Sequence, residues 1–145
     1  MTTARHLQTY QRTRILTAPP EGLQVMLYEG ASRFCEHARL ALSANDRETA
    51  CACLDRARRI ILYLSECLRP ELAPELCALV ASAHQFVYHR LVDAALHGGT
   101  DSLGEAVGVL CELRQAWADL LRERSAKPQP APEPQAGKGR VRLTG

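Results

Sequence analysis

The sequence has few aromatic side chains. Phe, Trp and Tyr make up 5% of its 145 residues, so a core must come chiefly from Leu, Ala, Val and Ile. It has no long hydrophobic run. The longest uncharged stretch, Leu76 to His89, falls far short of the roughly 20 apolar residues of a membrane span. No apolar stretch follows basic residues near the start, which argues against a secretory signal. Phosphate-binding loops of the GxxxxGK[ST] or GxGxxG kind are missing. No two residues drawn from Cys and His stand three or four apart, the spacing that a helix-borne metal site needs. Proline is absent from 21–69 and from 75–127, which leaves both stretches free to be helical.

What is present is an ordinary globular composition, 46% apolar and 23% charged, at about one domain's length. The net charge of +2 hides a split. Residues 1–20 carry Arg5, Arg12 and Arg14 and no acid. Residues 21–126 carry 11 basic and 15 acidic side chains, and so a charge of −4. Residues 127–145 carry Lys127, Lys138, Arg140 and Arg142 against Glu133. The acidic middle would repel a phosphate backbone, so no nucleic-acid partner is expected. Without a secretory signal, Cys35, Cys51, Cys53, Cys67, Cys77 and Cys111 read as thiols in a reducing compartment, acting as small hydrophobes.

Apolar residues recur at three- and four-residue steps in four segments. The first runs over 20–43 with Leu23, Leu27, Ala31, Phe34, Ala38 and Leu42. The second follows a cap at Asn45 or Asp46 and carries Ala50, Leu54, Ala57, Ile61, Leu64 and Leu68, ending at Pro70. The third carries Leu72, Leu76, Leu79, Ala83, Val87, Leu91 and Ala94, stopped by His97, Gly98 and Gly99. The fourth, capped by Thr100 or Asp101, carries Leu103, Val107, Leu110, Trp117 and Leu121. With connections of about 2–3 residues, neighbours run antiparallel. The expectation is an all-α, antiparallel up-down-up-down four-helix bundle over 20–125. A mobile N-terminal arm, 1–19, precedes it, and a disordered Pro/Gly-rich basic tail, 126–145, follows.

A second apolar row lies beside the first, more than one core face requires. It comprises Val25, Tyr28 and Cys35, then Cys53, Ile60, Tyr63 and Cys67, then Tyr88 and Val92, and finally Val109, Leu113 and Leu120. The row is either a wide core or an exposed groove that receives another helix. The arm, with Leu7, Tyr10, Ile15 and Leu16 among basic residues, suits the groove reading but is too short to fold alone. Trp117, on the main stripe, reads as core.

Catalysis finds little support. The serines lack a nucleophile-elbow context, and the acids read as a solvated face. A histidine phosphotransfer module would need a Lys and a Gly about one turn after an exposed His. Neither His84 nor His89 has them.

Residues 9–38, TYQRTRILTAPPEGLQVMLYEGASRFCEHA, resemble the N-terminal part of the flagellar secretion chaperone FliS family through Tyr10, Pro20, Leu23, Leu27, Tyr28, Glu29, Gly30 and Ala31. LDRARRIILYL, residues 54–64, is similar to the family's second helix. Within LGEAVGVLCELRQAWADL, residues 103–120, Leu113, Arg114, Ala116 and Trp117 match its fourth. The third helix departs: Ala83, His84 and Phe86 take positions where tyrosines are usual, and Ala95 stands where Asn is usual.

The resemblance implies a non-enzymatic export chaperone of the bacterial cytosol, with no cofactor or metal and no direct membrane insertion. Its partners would be the C-terminal helical segment of flagellin and a flagellar export-gate protein. It would block premature polymerisation and deliver the client to the type III export apparatus. Tyr28, Ile60, Tyr63, Tyr88 and Leu113 are the expected client contacts. Leu7 and Tyr10, with Ile15 and Leu16, are the expected arm contacts. An arm that finds a second copy's groove would give a homodimer. The alternative is a generic helical adaptor, or a chaperone for another secreted subunit.

Overall fold

The computed structural model describes residues 21–126, which form four helices and no strand: α1 (Glu21–Ser43), α2 (Arg47–Glu66), α3 (Pro74–His97) and α4 (Thr100–Ala126). The arm and the tail, with Leu7, Tyr10, Ile15 and Leu16, lie outside the described residues.

Local chemistry sets the boundaries. Asn45 takes a left-handed φ of 63°, reversing the chain after α1. Asp46 caps α2 by accepting the Thr49 N–H at 3.1 Å. That bond holds its carboxyl below the usual range. The connection from α2 to α3 runs from Cys67 to Ala73 and is longer than the 2–3 residues expected. Pro74 explains this. It occupies the first turn of α3, where its missing N–H costs nothing, and it keeps Ala73 out of the helical region. Leu72, expected in the third helix, therefore lies before it. Gly98 ends α3 in the left-handed region at φ 72°. Arg47 lies over this turn, donating to the Ala95 carbonyl at 3.0 Å and tying the start of α2 to the end of α3.

α1 packs between α2 and α4. α3 also packs against α2 and α4, so α1 and α3 face each other across the bundle. The core of α2 is the expected stripe of Ala50, Leu54, Ala57, Ile61 and Leu64. On the other three helices the buried face differs from the stripe read along the sequence. In α1 it is Gln24, Tyr28, Ala31, Cys35, Ala38 and Ala41, with Leu27, Phe34 and Leu42 only half-buried. In α3 it is Leu76, Cys77, Val80, His84, Val87, Leu91 and Ala94, so Leu76, Val87, Leu91 and Ala94 are buried as expected, while Ala83 is half-buried and Leu79 is exposed. In α4, Ala106, Leu113, Ala116 and Leu120 join Leu103, Leu110 and Trp117. Ala and Cys on α1 keep its neighbours close, and Trp117 and Tyr28 fill the volume that remains.

A histidine stands at the centre. His84 Nε2 lies 2.7 Å from the Tyr28 hydroxyl on α1, and Nδ1 lies 2.8 Å from Ser65 Oγ on α2. A neutral ring suits both partners: one nitrogen donates, the other accepts, and each hydroxyl takes the complementary role. Burial pushes the His84 pKa down to about 4 and raises that of Tyr28. The buried Trp117 N–H meets no acceptor in hydrogen-bond geometry, although its dipole lowers the Tyr28 pKa slightly against the larger effect of burial.

Two outcomes follow from these contacts. A Cβ at Gly98 would come within 2.9 Å of the Arg47 guanidinium, in a backbone conformation that side chains resist. Gly98→Ala should therefore lower unfolding stability by about 1 kcal/mol, measured by urea denaturation. His84 adds a pH dependence. The unfolded ring takes up its proton near pH 6.5 and the folded one only near pH 4. Between these values the unfolded state binds more protons, so stability falls as pH falls. The loss approaches about 3 kcal/mol once pH is below both values. Denaturation midpoints at pH 7 and pH 5 should differ less in His84→Gln, which keeps hydrogen-bonding groups but does not titrate.

Candidate functional site

The expected client contacts separate in space. Tyr28 is 1% exposed and Leu113 4%, so both belong to the core and correct the expectation that they line a surface groove. Tyr28 faces inward because α1 is phased on Gln24, Tyr28, Ala31 and Cys35, and its hydroxyl is taken by His84. Leu113 continues the α4 seam three residues after Leu110. Ile60 and Tyr88 are half-buried, and Tyr63 is 46% exposed.

Ile60 and Tyr63 lie together where α2 meets α1. A Cβ built on Gly30 of α1 would sit 3.7 Å from Ile60 Cδ1, so Gly30 leaves a shallow depression there. The Arg56 guanidinium covers the Phe34 ring at 5.7 Å across the same junction. Met26, one turn before Gly30 and 64% exposed, continues the strip. Its border is basic, with Arg33 and Arg59 exposed beside Arg56, Arg59 being paired with Asp55 at 3.1 Å. Tyr88 belongs to a different junction. It lies one turn beyond His84, and Leu62 lies one turn before Ser65 on the antiparallel α2. The His84–Ser65 bond therefore places Tyr88 and Leu62 on the seam between α2 and α3. Both seams border α2.

A third exposed strip lies where α3 meets α4. Arg90 pairs with Glu105 at 3.2 Å, and Ser102 donates to Asp93, which fixes the side of α4 that faces α3. Leu79 and Phe86 stand on the outer edge of this junction, 41% and 42% exposed, and the Arg90 guanidinium covers Phe86 at 5.7 Å. Met26, Leu62, Leu79 and Phe86 are not in the second row read from the sequence. The exposure of Met26, Leu79 and Phe86 follows from the phase of α1 and α3, and that of Leu62 from the α2 stripe of Leu54, Ala57, Ile61 and Leu64. The heptad Cys77, Val80, His84, Val87, Leu91 and Ala94 was the available signal, masked by a polar residue at its centre.

Among the described residues no group of three His, Cys, Asp or Glu could hold a metal ion. All six cysteines are free, and burial with neighbouring negative charge pushes Cys35 up to about 12, away from the thiolate form. Among the described residues no helix is long and apolar enough to cross a membrane. The surface carries exposed apolar side chains along three helix–helix junctions: Met26 and Tyr63, Leu62, and Leu79 with Phe86.

Comparison with known proteins identifies the family. The family described as "Flagellar protein FliS" matches residues 3–124. The flagellar secretion chaperone FliS of Bacillus subtilis is 32% identical over 113 residues, covering 78% of this chain and 84% of that protein. The FliS of Campylobacter jejuni is 27% identical over 111 residues, covering 77% and 87%. That of Salmonella typhimurium is 26% identical over 130 residues, covering 86% and 96%. A match over nearly the whole chain, on a four-helix bundle, places this chain in the FliS family of flagellar secretion chaperones.

Proposed function

We propose that this chain binds the C-terminal helical segment of flagellin in the bacterial cytosol. It holds that segment back from premature polymerisation and delivers it to the type III export gate. The observation that carries the reading is a complete internal core coexisting with apolar seams along both sides of α2. A disordered segment that becomes amphipathic on folding matches seams of this length. Its ordering cost is offset by a wide contact area. The client surface in this reading is Ile60 and Tyr63 with Met26 and Gly30 on one seam, and Tyr88 with Leu62 on the other. A segment crossing α2 would touch both. Leu7 and Tyr10 of the arm serve the groove or the export gate.

Gly30 supports a binding role for the first seam. A glycine inside a helix costs up to about 1 kcal/mol relative to alanine. Here an added Cβ would make only ordinary contact with Ile60, so packing does not require it.

The test is calorimetric titration of the full chain with flagellin and with flagellin lacking its C-terminal segment. A 1:1 complex lost on truncation is expected, and no binding to either would favour another secreted subunit as client. Gly30→Ala should raise unfolding stability by up to about 1 kcal/mol and weaken the complex. Unchanged affinity would remove the depression from the client site. Tyr10→Ala should keep the helical circular-dichroism signal and impair flagellin export, and normal export would end the arm's assigned role.

A further inference from the structure

The strip between α3 and α4 differs from the other two in its charge. Glu75 on α3 and Glu105, Glu112, Asp119 and Glu123 on α4 stand along this side of the bundle. Arg90, held by Glu105, and Arg122, held by Asp119, are the guanidiniums set among them. Glu112 and Glu123 have no ion-pair or hydrogen-bond partner among the described residues. On the far side of the molecule, the seam between α1 and α2 is bordered by Arg33, Arg56 and Arg59. The bundle therefore has one apolar strip with a basic border and one with an acidic border.

The chain itself contains a segment of complementary chemistry. α4 ends at Ala126, at the same end of the bundle as Glu75 and Leu79, because α3 and α4 run antiparallel. Beyond it the sequence has Pro128, Pro130, Pro132 and Pro134, and then Lys138, Arg140 and Arg142 alternating with Gly139, Val141 and Leu143. In an extended backbone that alternation puts the cations on one edge and the apolar side chains on the other. At about 3.1 Å per residue, the stretch from Lys127 to Gly137 spans about 34 Å. Glu105 lies about 32 Å along α4 from Ala126. The basic segment can thus reach every carboxylate of the row.

We infer that residues 138–143 dock on the α3/α4 face of their own chain. Val141 and Leu143 face the strip of Leu79 and Phe86, and the cations, about 13 Å from first to last when extended, face neighbouring carboxylates within the row from Glu105 to Asp119. Each exposed ion pair is weak by itself. The tether supplies the rest, because a linked segment meets its site at an effective concentration of the order of millimolar. The basic border of the α1/α2 seam repels the same segment. This docking concerns a face other than the client seams and does not depend on the identity of the client.

Lys127 and Lys138 are the only lysines in the sequence, which makes zero-length carbodiimide coupling a clean probe. In the full chain, Lys138 should link to Glu105, Glu112 or Asp119 well above its links to Asp46, Glu48 and Asp55. The neighbouring Lys127–Glu123 link serves as the internal reference. Arg140→Glu with Arg142→Glu, which leaves Lys138 in place, should cut these links several-fold, and so should about 0.5 M salt. Mixing isotope-labelled with unlabelled protein should show the links to lie within one chain. A pattern unchanged by the double reversal would mean that tether length alone produced it, and would overturn the inference. Links joining labelled to unlabelled chains would assign the face to a second copy. Capture of the carboxylate row by the N-terminal amine in place of Lys138 would assign it to the arm.

Discussion

The hydrogen bonds at His84 are the constraint on which the arrangement of the bundle depends. α3 packs less extensively against α2 and α4 than α1 does. Apolar packing alone specifies the register of such a helix weakly, because Leu, Val and Ala can exchange places at modest cost. A buried imidazole cannot shift by a turn without leaving its own nitrogens and two hydroxyls unpaired. With Tyr28 on α1 and Ser65 on α2 both bound to it, His84 ties three helices to one relative position. Arg47 on the Ala95 carbonyl and Arg90 on Glu105 then hold the rest of α3 in line.

Once α3 and α1 are fixed in rotation, their outer faces are fixed as well. Phasing α1 on Tyr28, Ala31 and Cys35 turns Met26 and Gly30 toward the surface beside Ile60. Phasing α3 on His84 turns Leu79 and Phe86 outward on one side and Tyr88 toward α2 on the other. The surface strips are thus a consequence of the core and need no separate explanation in local sequence. Their exposure fits a protein whose work is to hold another chain. Their borders differ in charge, basic where α1 meets α2 and acidic where α3 meets α4.

Much of this was legible in the residues. The proline-free stretches, the Asp46 cap, the Gly98 stop and the α2 stripe define four helices and their antiparallel order. Local chemistry decides each of these: a missing N–H, a carboxylate reaching a free amide, a left-handed φ. The likeness of residues 9–38 to the FliS family was also readable, since it rests on the order of residue types along the chain. Periodicity was less informative where two adjacent rows were both apolar. In α1, Leu27 and Phe34 compete with Tyr28 and Cys35 for the inside, and hydrophobicity favours the wrong pair.

The sequence by itself therefore determined the four helices, the turns at Asp46 and Gly98 and the family, because these depend on contacts within a few residues. Only the tertiary structure decided how α1 and α3 are rotated, and with that which apolar residues face out. That choice depends on one hydrogen-bonded histidine and two hydroxyls, 19 and 56 residues away along the chain. No local pattern records that pairing. Tyr28 is core, and Met26 and Phe86 are surface, for that reason.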